Sequence, residues 1–188
     1  MTLLIVILLL QIALLCFVIP VTFVLWAHTL SKFLHVPFVP TRGRYFPQII
    51  DSLDIGRGDV VYELGSGDGR FLLACALANA GTRHVGIERN PLLHLMALLR
   101  KKYAGNPSNI TFIRGDLFTA DLRGATRIYA YLLPSVMSSL LPKFERECAG
   151  ARLASSAFTF ADKEPVEIVT LSTNPGSHGQ NVLYVYEF

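Results

Sequence analysis

From Leu3 to Ala27 the chain is apolar almost without a break, with only Gln11, Pro20 and Thr22 interrupting it. Beyond that run, short apolar stretches of strand length alternate with stretches of helical periodicity. Tyr45 to Leu53 predicts a short helix with Ile49, Ile50 and Leu53 inward and Pro47 in its first turn. Val60–Leu64 and Arg83–Glu88 read as buried strands, with a helix over Phe71–Ala78 between them. Asn90 caps the next helix, Pro91 opens it, and Leu92, Met96, Leu99 and Tyr103 recur as its core stripe. Asn109–Arg114 and Thr126–Leu133 are the following strands. Ser135 then caps a helix to Cys148, with Val136, Leu140, Leu141 and Phe144 buried and Pro142 dividing it. Arg152–Phe160 is a fifth strand, and Glu167–Ser172 and Asn181–Glu187 form a terminal pair around a loop holding His178. This alternation predicts an α/β domain built on a doubly wound, mostly parallel sheet with an antiparallel edge.

The N-terminal run exceeds the roughly 20 residues needed to cross a bilayer as a helix. Residues 1–31 contain no Asp, Glu, Lys or Arg. The start lacks the basic residues of a cleaved signal, so an uncleaved transmembrane anchor is expected, in contact with the bilayer through residues 3–27. Lys32, Arg42 and Arg44 follow it and place the rest on the cytoplasmic side, or the matrix side in a mitochondrion. The expected division is an anchor over 1–31, a connector and lid over 32–44, and one domain over 45–188.

Charge and cysteine usage narrow the chemistry by exclusion. The net charge of +3 over 188 residues leaves no nucleic-acid footprint. Cys16, Cys75 and Cys148 are scattered, without metal-ligand spacing, so no metal is expected. No phosphate-loop lysine follows the glycines, and Gly65-Ser66-Gly67 has the wrong frame for a hydrolase elbow.

The positive chemistry lies at Glu63-Leu64-Gly65-Ser66-Gly67-Asp68-Gly69-Arg70. A strand, a glycine turn and a helix start make a nucleotide-binding corner. Glu88 ends the next strand about 20 residues later, the spacing of an acid that accepts ribose hydroxyls. The third glycine comes one residue earlier than in dinucleotide-binding turns, and Asp68 stands inside the turn. An acid there suits a ligand with a positive amino group and repels a pyrophosphate. Glu63 or Asp68 is the candidate for that amino group, with the backbone N–H groups of the turn near the same part of the ligand. Tyr129 and Tyr131 lie at a strand tip where an acceptor would meet the ligand.

These residues resemble the cofactor site of class I S-adenosylmethionine-dependent methyltransferases, a Rossmann-like fold with a seven-stranded sheet. Pro37-Phe38-Val39-Pro40-Thr41, Tyr129-Ala130-Tyr131-Leu132-Leu133-Pro134 and Asn181-Val182-Leu183-Tyr184-Val185-Tyr186 further resemble the small protein-lysine N-methyltransferases of archaea and their mitochondrial relatives. The resemblance implies S-adenosyl-L-methionine as cofactor and a lysine on a protein, one in or near the membrane, as acceptor. It implies Thr41 near the methionine end, Asp116 on the adenine amino group, and Leu117 covering the ring. Tyr129, Tyr131 and the backbone at Leu132 would line the acceptor channel. The strand tip lacks the Asp/Asn-Pro-Pro-Tyr/Phe run of many amino-methylating class I enzymes. Alternatives are a small-molecule or lipid methyltransferase, an NAD-dependent oxidoreductase, and a membrane-anchored adaptor without chemistry.

Overall fold

The computed structural model describes residues 7–22, 39–171 and 182–188. Contacts divide the chain into two units, Met1–Pro37 and Phe38–Phe188.

In the first unit residues 7–22 form helix α1, exposed throughout. At 1.5 Å per residue the described stretch covers roughly 24 Å, against the roughly 30 Å hydrocarbon core of a bilayer. Among the described residues, no helix is long and apolar enough to cross a membrane. That finding corrects the expected transmembrane helix over residues 3–27. The bilayer partnership and the single-pass placement with a cytoplasmic- or matrix-facing domain rested on it and fall with it. The apolarity of the run was legible, but spanning depends on the length of helix, and the described helix falls short. Residues 3–6 and 23–27, together with Pro37 and Phe38, lie outside the described residues.

The second unit is built on seven strands: β1 (Val60–Leu64), β2 (Arg83–Glu88), β3 (Ile110–Arg114), β4 (Arg127–Ala130), β5 (Arg152–Ser156), β6 (Glu167–Thr170) and β7 (Val182–Glu187). They lie in the order β3-β2-β1-β4-β5-β7-β6. The first five are mutually parallel, and β7 runs antiparallel between β5 and β6. A 3-10 turn at Gly43–Tyr45 leads into α2 (Phe46–Leu53), and α3 (Arg70–Ala78), α4 (Pro91–Tyr103) and α5 (Pro134–Glu147) follow in the crossovers.

Alternate residues of each strand serve opposite faces. On β4, Ile128 and Ala130 pack with Met137, Leu140 and Phe144 of α5, while Tyr129 turns to Ile49 of α2 and Phe71 of α3. On β1, Leu64 joins the α5 side and Val61 the α2–α3 side. Glu63, two residues after Val61, therefore stands on the α3 face, with its carboxyl beneath the start of that helix.

Several sequence expectations need correction. Strand β4 ends at Ala130, so Tyr131, Leu132 and Leu133 are a loop after the strand rather than part of it. Strand β5 ends at Ser156, because Ala157 adopts a left-handed backbone with φ 68°. The cap of α5 is Leu133 with no side-chain bond, since Pro134 takes the first helical position and needs no N–H acceptor. Pro142 lies inside α5 without dividing it. The stripe expected to be the core face of α4 is largely outside: Leu92, Met96, Leu99 and Tyr103 are 54%, 47%, 46% and 89% exposed. Ala97 is the buried residue of that helix. Its small side chain sits 3.0 Å from where a Cβ on Gly69 would stand. The helix thus seats through Ala97 on Gly69 and on the cluster of Leu72, Leu73 and Phe112. His178 lies outside the described residues.

Candidate functional site

The strand order reverses direction between β1 and β4, and the crevice outside the carboxyl ends at such a reversal is where ligands bind in open α/β sheets. The glycine turn opens there. Gly65, Gly67 and Gly69 have φ of 73°, 54° and 74°, the left-handed region that favours glycine. At Gly69 the need is steric as well, since a Cβ would stand 2.5 Å from Cζ of Phe112. Gly86, inside β2, lets Phe112 and Ser66 close in, and a Cβ there would meet them at 2.7 and 2.8 Å. A glycine within a strand signals such close backbone approach.

The turn spends its donors internally. Gly65 and Ser66 N–H both donate to the Ile87 carbonyl, at 2.9 and 3.0 Å. Gly69 N–H donates to the Ser66 carbonyl at 2.9 Å, and Gly67 N–H to Oε2 of Glu88 at 2.8 Å. The N–H groups of Gly65, Ser66, Gly67 and Gly69, expected near a ligand, each have an acceptor within the chain. A pyrophosphate, which dinucleotide-binding turns hold through free N–H groups, finds none at these four positions.

Acids surround the turn, and the structure assigns them different tasks. Asp68 is wholly buried and clamped by two guanidiniums. Arg70 donates from Nε and Nη2 at 2.9 and 2.6 Å, and Arg100 from Nη2 at 2.7 Å. Burial alone would raise the Asp68 carboxyl; the Arg70 hydrogen bond and the charges of Arg100 and Arg70 outweigh it and hold the carboxyl below its ordinary value. Arg100 also donates from Nε to the Asp68 carbonyl at 3.1 Å, tying α4 to the turn. In sequence it reads only as part of a basic helix end, and nothing there marks its reach to Asp68.

Glu63 is the contrasting acid. It is buried, and its Oε2 has no partner. Burial, opposed by the nearby Leu72 backbone and reinforced by the charges of Asp68 and Glu88, raises its carboxyl well above the ordinary value. Such an oxygen fits a cationic amino group of a ligand, which would satisfy it and favour its ionised form. The buried Ser66 hydroxyl is likewise unpartnered.

Glu88 ends β2 with Oε2 on Gly67 N–H and Oε1 on Asn90 N–H at 2.7 Å. Each oxygen keeps a further lone pair for a hydroxyl. Asp116, past β3, accepts the Phe118 N–H at Oδ1 (2.9 Å) and faces Arg89 loosely at 3.7 Å. Leu117 beside it packs half-buried against the α5-side core.

On the other side of the reversal, Tyr129 and Tyr131 part company. Tyr129 is buried, its ring 4.3 Å from that of Phe71, and its hydroxyl shares a 2.8 Å hydrogen bond with Thr41. Burial, opposed by bonds from Ser156 and Thr41, raises its phenol above the ordinary value and keeps it neutral. It is thus a post for Thr41 within the core. Tyr131 is half-buried and stacks on Phe158 with centroids 6.1 Å apart and planes 18° from parallel. Leu132 is buried under the turn, 3.0 Å from the position of a Gly65 Cβ.

The sequence over residues 63–167 matches a family described as the ANTKMT methyltransferase domain. A protein-lysine N-methyltransferase of Saccharolobus islandicus is 29% identical over 81% of this chain and 93% of its own length. The adenine nucleotide translocase lysine N-methyltransferase of Mus musculus is 35% identical over 75% of this chain, which spans 61% of that relative. Among solved structures, an RNA methyltransferase of Salinibacter ruber in complex with S-adenosyl-L-homocysteine superposes with a TM-score of 0.70 and 34% identity, covering 79% of this chain and 92% of that one. An unpaired buried acid, a glycine turn that offers room in place of donors, and an acid at the tip of the neighbouring strand agree with these likenesses: the chain belongs to the ANTKMT methyltransferase domain family and is a class I S-adenosylmethionine-dependent methyltransferase.

Proposed function

We propose that the enzyme methylates the side-chain amine of lysine in a protein. The observation that carries this reading is the division of the strand tips. Carboxylates stand at the tips of β1, β2 and just past β3, and half-buried aromatic rings stand past β4 and β5. When bound, S-adenosylmethionine supplies a methyl group from its sulfonium. Glu63 holds the amino group of the methionine end, and Thr41, fixed by Tyr129, closes on that end. Gly65, Gly67 and Gly69 give the backbone room to approach. Glu88 accepts the ribose hydroxyls, Asp116 accepts the adenine amino group, and Leu117 covers the ring. Asp68 supports the turn through Arg70 and Arg100 in place of touching the ligand.

The acceptor enters from the β4 side. Free lysine has a pKa near 10.4, so most of it is protonated at neutral pH. The apolar walls of Tyr131 and Leu132 disfavour the charged form and admit the neutral amine. Tyr129, a neutral phenol bonded to Thr41, takes no proton there. Alignment of amine and methyl carbon supplies the rest. The named activities of the archaeal and mouse relatives support the same acceptor.

The test supplies isotopically labelled S-adenosylmethionine, a protein extract from cells lacking the enzyme, and total RNA in one reaction. Peptide and nucleoside mass spectrometry locate the label. The expected label is on lysine Nζ. Label confined to RNA, the substrate class for which the Salinibacter enzyme is named, refutes the reading.

A further inference from the structure

We infer that Phe158 is an acceptor-positioning residue, set by the left-handed Ala157 to form one wall of the lysine channel with Tyr131. The inference rests on the lysine reading above and adds a residue that follows a different strand from the motif that suggested it.

Three constraints hold Phe158 where it is. Ala157 has φ 68°, a conformation an alanine rarely adopts, and its N–H donates to the Val182 carbonyl at 2.9 Å. The buried Ser155 hydroxyl donates to the Phe158 carbonyl at 2.6 Å. The Phe158 ring lies nearly parallel to Tyr131. Without the left-handed residue the strand would continue, and alternation would carry the following side chain to a different face. A strained alanine that breaks a strand at its carboxyl end and redirects the next ring suits a site better than a core. Burial agrees. Tyr129 and Phe160, the nearby aromatics on either segment, are 1% and 4% exposed, whereas Tyr131 and Phe158 remain partly open.

Position adds the functional content. The ligand-facing acids run from Asp116 past β3, through Glu88 on β2, to Glu63 on β1. A cofactor laid along them with its adenine at Asp116 points its methionine end toward β4 and β5. The two partly open rings lie in that direction, past β4 and β5. A flat aromatic pair grips an unbranched aliphatic stem by contact along its length.

The test compares Phe158→Leu, Phe158→Tyr and wild type as full chains. Each is given the protein extract at rising concentration with saturating S-adenosylmethionine, and labelled lysine is quantified. S-adenosylhomocysteine binding is measured by calorimetry and folding by thermal melting. Leucine keeps the apolar bulk and removes the ring face; tyrosine keeps the ring. The expected result is about a tenfold rise in half-saturating acceptor for Phe158→Leu, with unchanged S-adenosylhomocysteine affinity and near-wild-type values for Phe158→Tyr. Wild-type acceptor dependence in Phe158→Leu overturns the inference while leaving the lysine reading intact. Loss of S-adenosylhomocysteine affinity, or of folding in both variants, overturns it by assigning the ring to the cofactor side or the scaffold. Failure of the wild type to label any lysine refutes the acceptor reading itself.

Discussion

The chain contains two Asp–Arg pairs of the same local design, and burial together with a second guanidinium separates them. Asp68 and Arg70 meet at 2.6 Å, and Asp121 and Arg123 at 2.8 Å, each pair two residues apart. The Asp68 side chain is 2% exposed and has Arg100 as a second partner, whereas Asp121 and Arg123 are 60% and 75% exposed. Asp68→Asn removes the charge that balances both guanidiniums. Breaking a buried pair costs about 3–5 kcal/mol. Arg70 and Arg100 are 40% and 43% exposed and can recover water, so the low end, about 3 kcal/mol, applies. For a chain of this size that corresponds to a fall in Tm of about 6–12 °C. Asp121→Asn should leave Tm where it is, because solvent screens that pair. Thermal melts by circular dichroism from pH 7 down to pH 3 make the comparison. The folded Asp68 carboxyl titrates below its unfolded value of about 3.9. Its contribution is therefore complete above that value and disappears as pH falls through the folded pKa. The gap between wild type and Asp68→Asn should be widest at neutral pH and shrink only in strong acid. Equal losses for the two variants, or none at Asp68, would refute the reasoning.

Glu63 has the opposite sign. Its raised folded pKa means a penalty that is absent below the unfolded pKa and grows as pH rises toward the folded one. Glu63→Gln should accordingly raise the Tm of the ligand-free enzyme at pH 7 and weaken S-adenosylmethionine binding about tenfold; calorimetry and melting read both, and a lower Tm contradicts the assignment. Glu88→Ala removes acceptors from Gly67 and Asn90 N–H as well as from the ligand. Hydrogen bonds to a charged group are worth about 1.5–3 kcal/mol, so S-adenosylhomocysteine affinity should fall at least tenfold, with Glu88→Gln between the two; unchanged affinity in a folded Glu88→Ala would exclude the ribose role. Gly69→Ala combines a left-handed backbone with a Cβ driven to 2.5 Å from Phe112, so about 3 kcal/mol of stability should be lost; a melt within about 2 °C of wild type would show that the turn yields to the added methyl.

The sheet, its strand succession and the glycine corner were legible because period-two runs and left-handed glycine positions are local properties. Glu63 and Glu88 were legible because spacing from the glycines fixes them at strand tips. The exposed face of α4 was not, since periodicity reports that Leu92, Met96 and Leu99 share a side but not which side meets the sheet. There Ala97, a residue too small to register in the pattern, makes the contact. The Arg100 that joins Arg70 on Asp68 comes from α4, and spacing along the chain does not announce it. Phe158 carries no mark in the sequence because an alanine gives no sign of a left-handed backbone. The N-terminal run differs in the other direction: its composition suggests a span, and among the described residues no helix is long and apolar enough to make one.

The placement of β7 between β5 and β6 has a consequence for how the domain is made. As the chain leaves the ribosome, β6 emerges with no neighbour to pair with, because the seat beside β5 belongs to a strand still to be synthesised. Leu183, Val185 and Tyr186, all wholly buried in the finished fold, arrive after the rest of the parallel sheet could already have formed. Until they insert, the β5 edge and the apolar surfaces beneath Phe71 and Phe160 stand open. An unpaired β5 edge is a template for misassociation, and β7 is the strand that closes it.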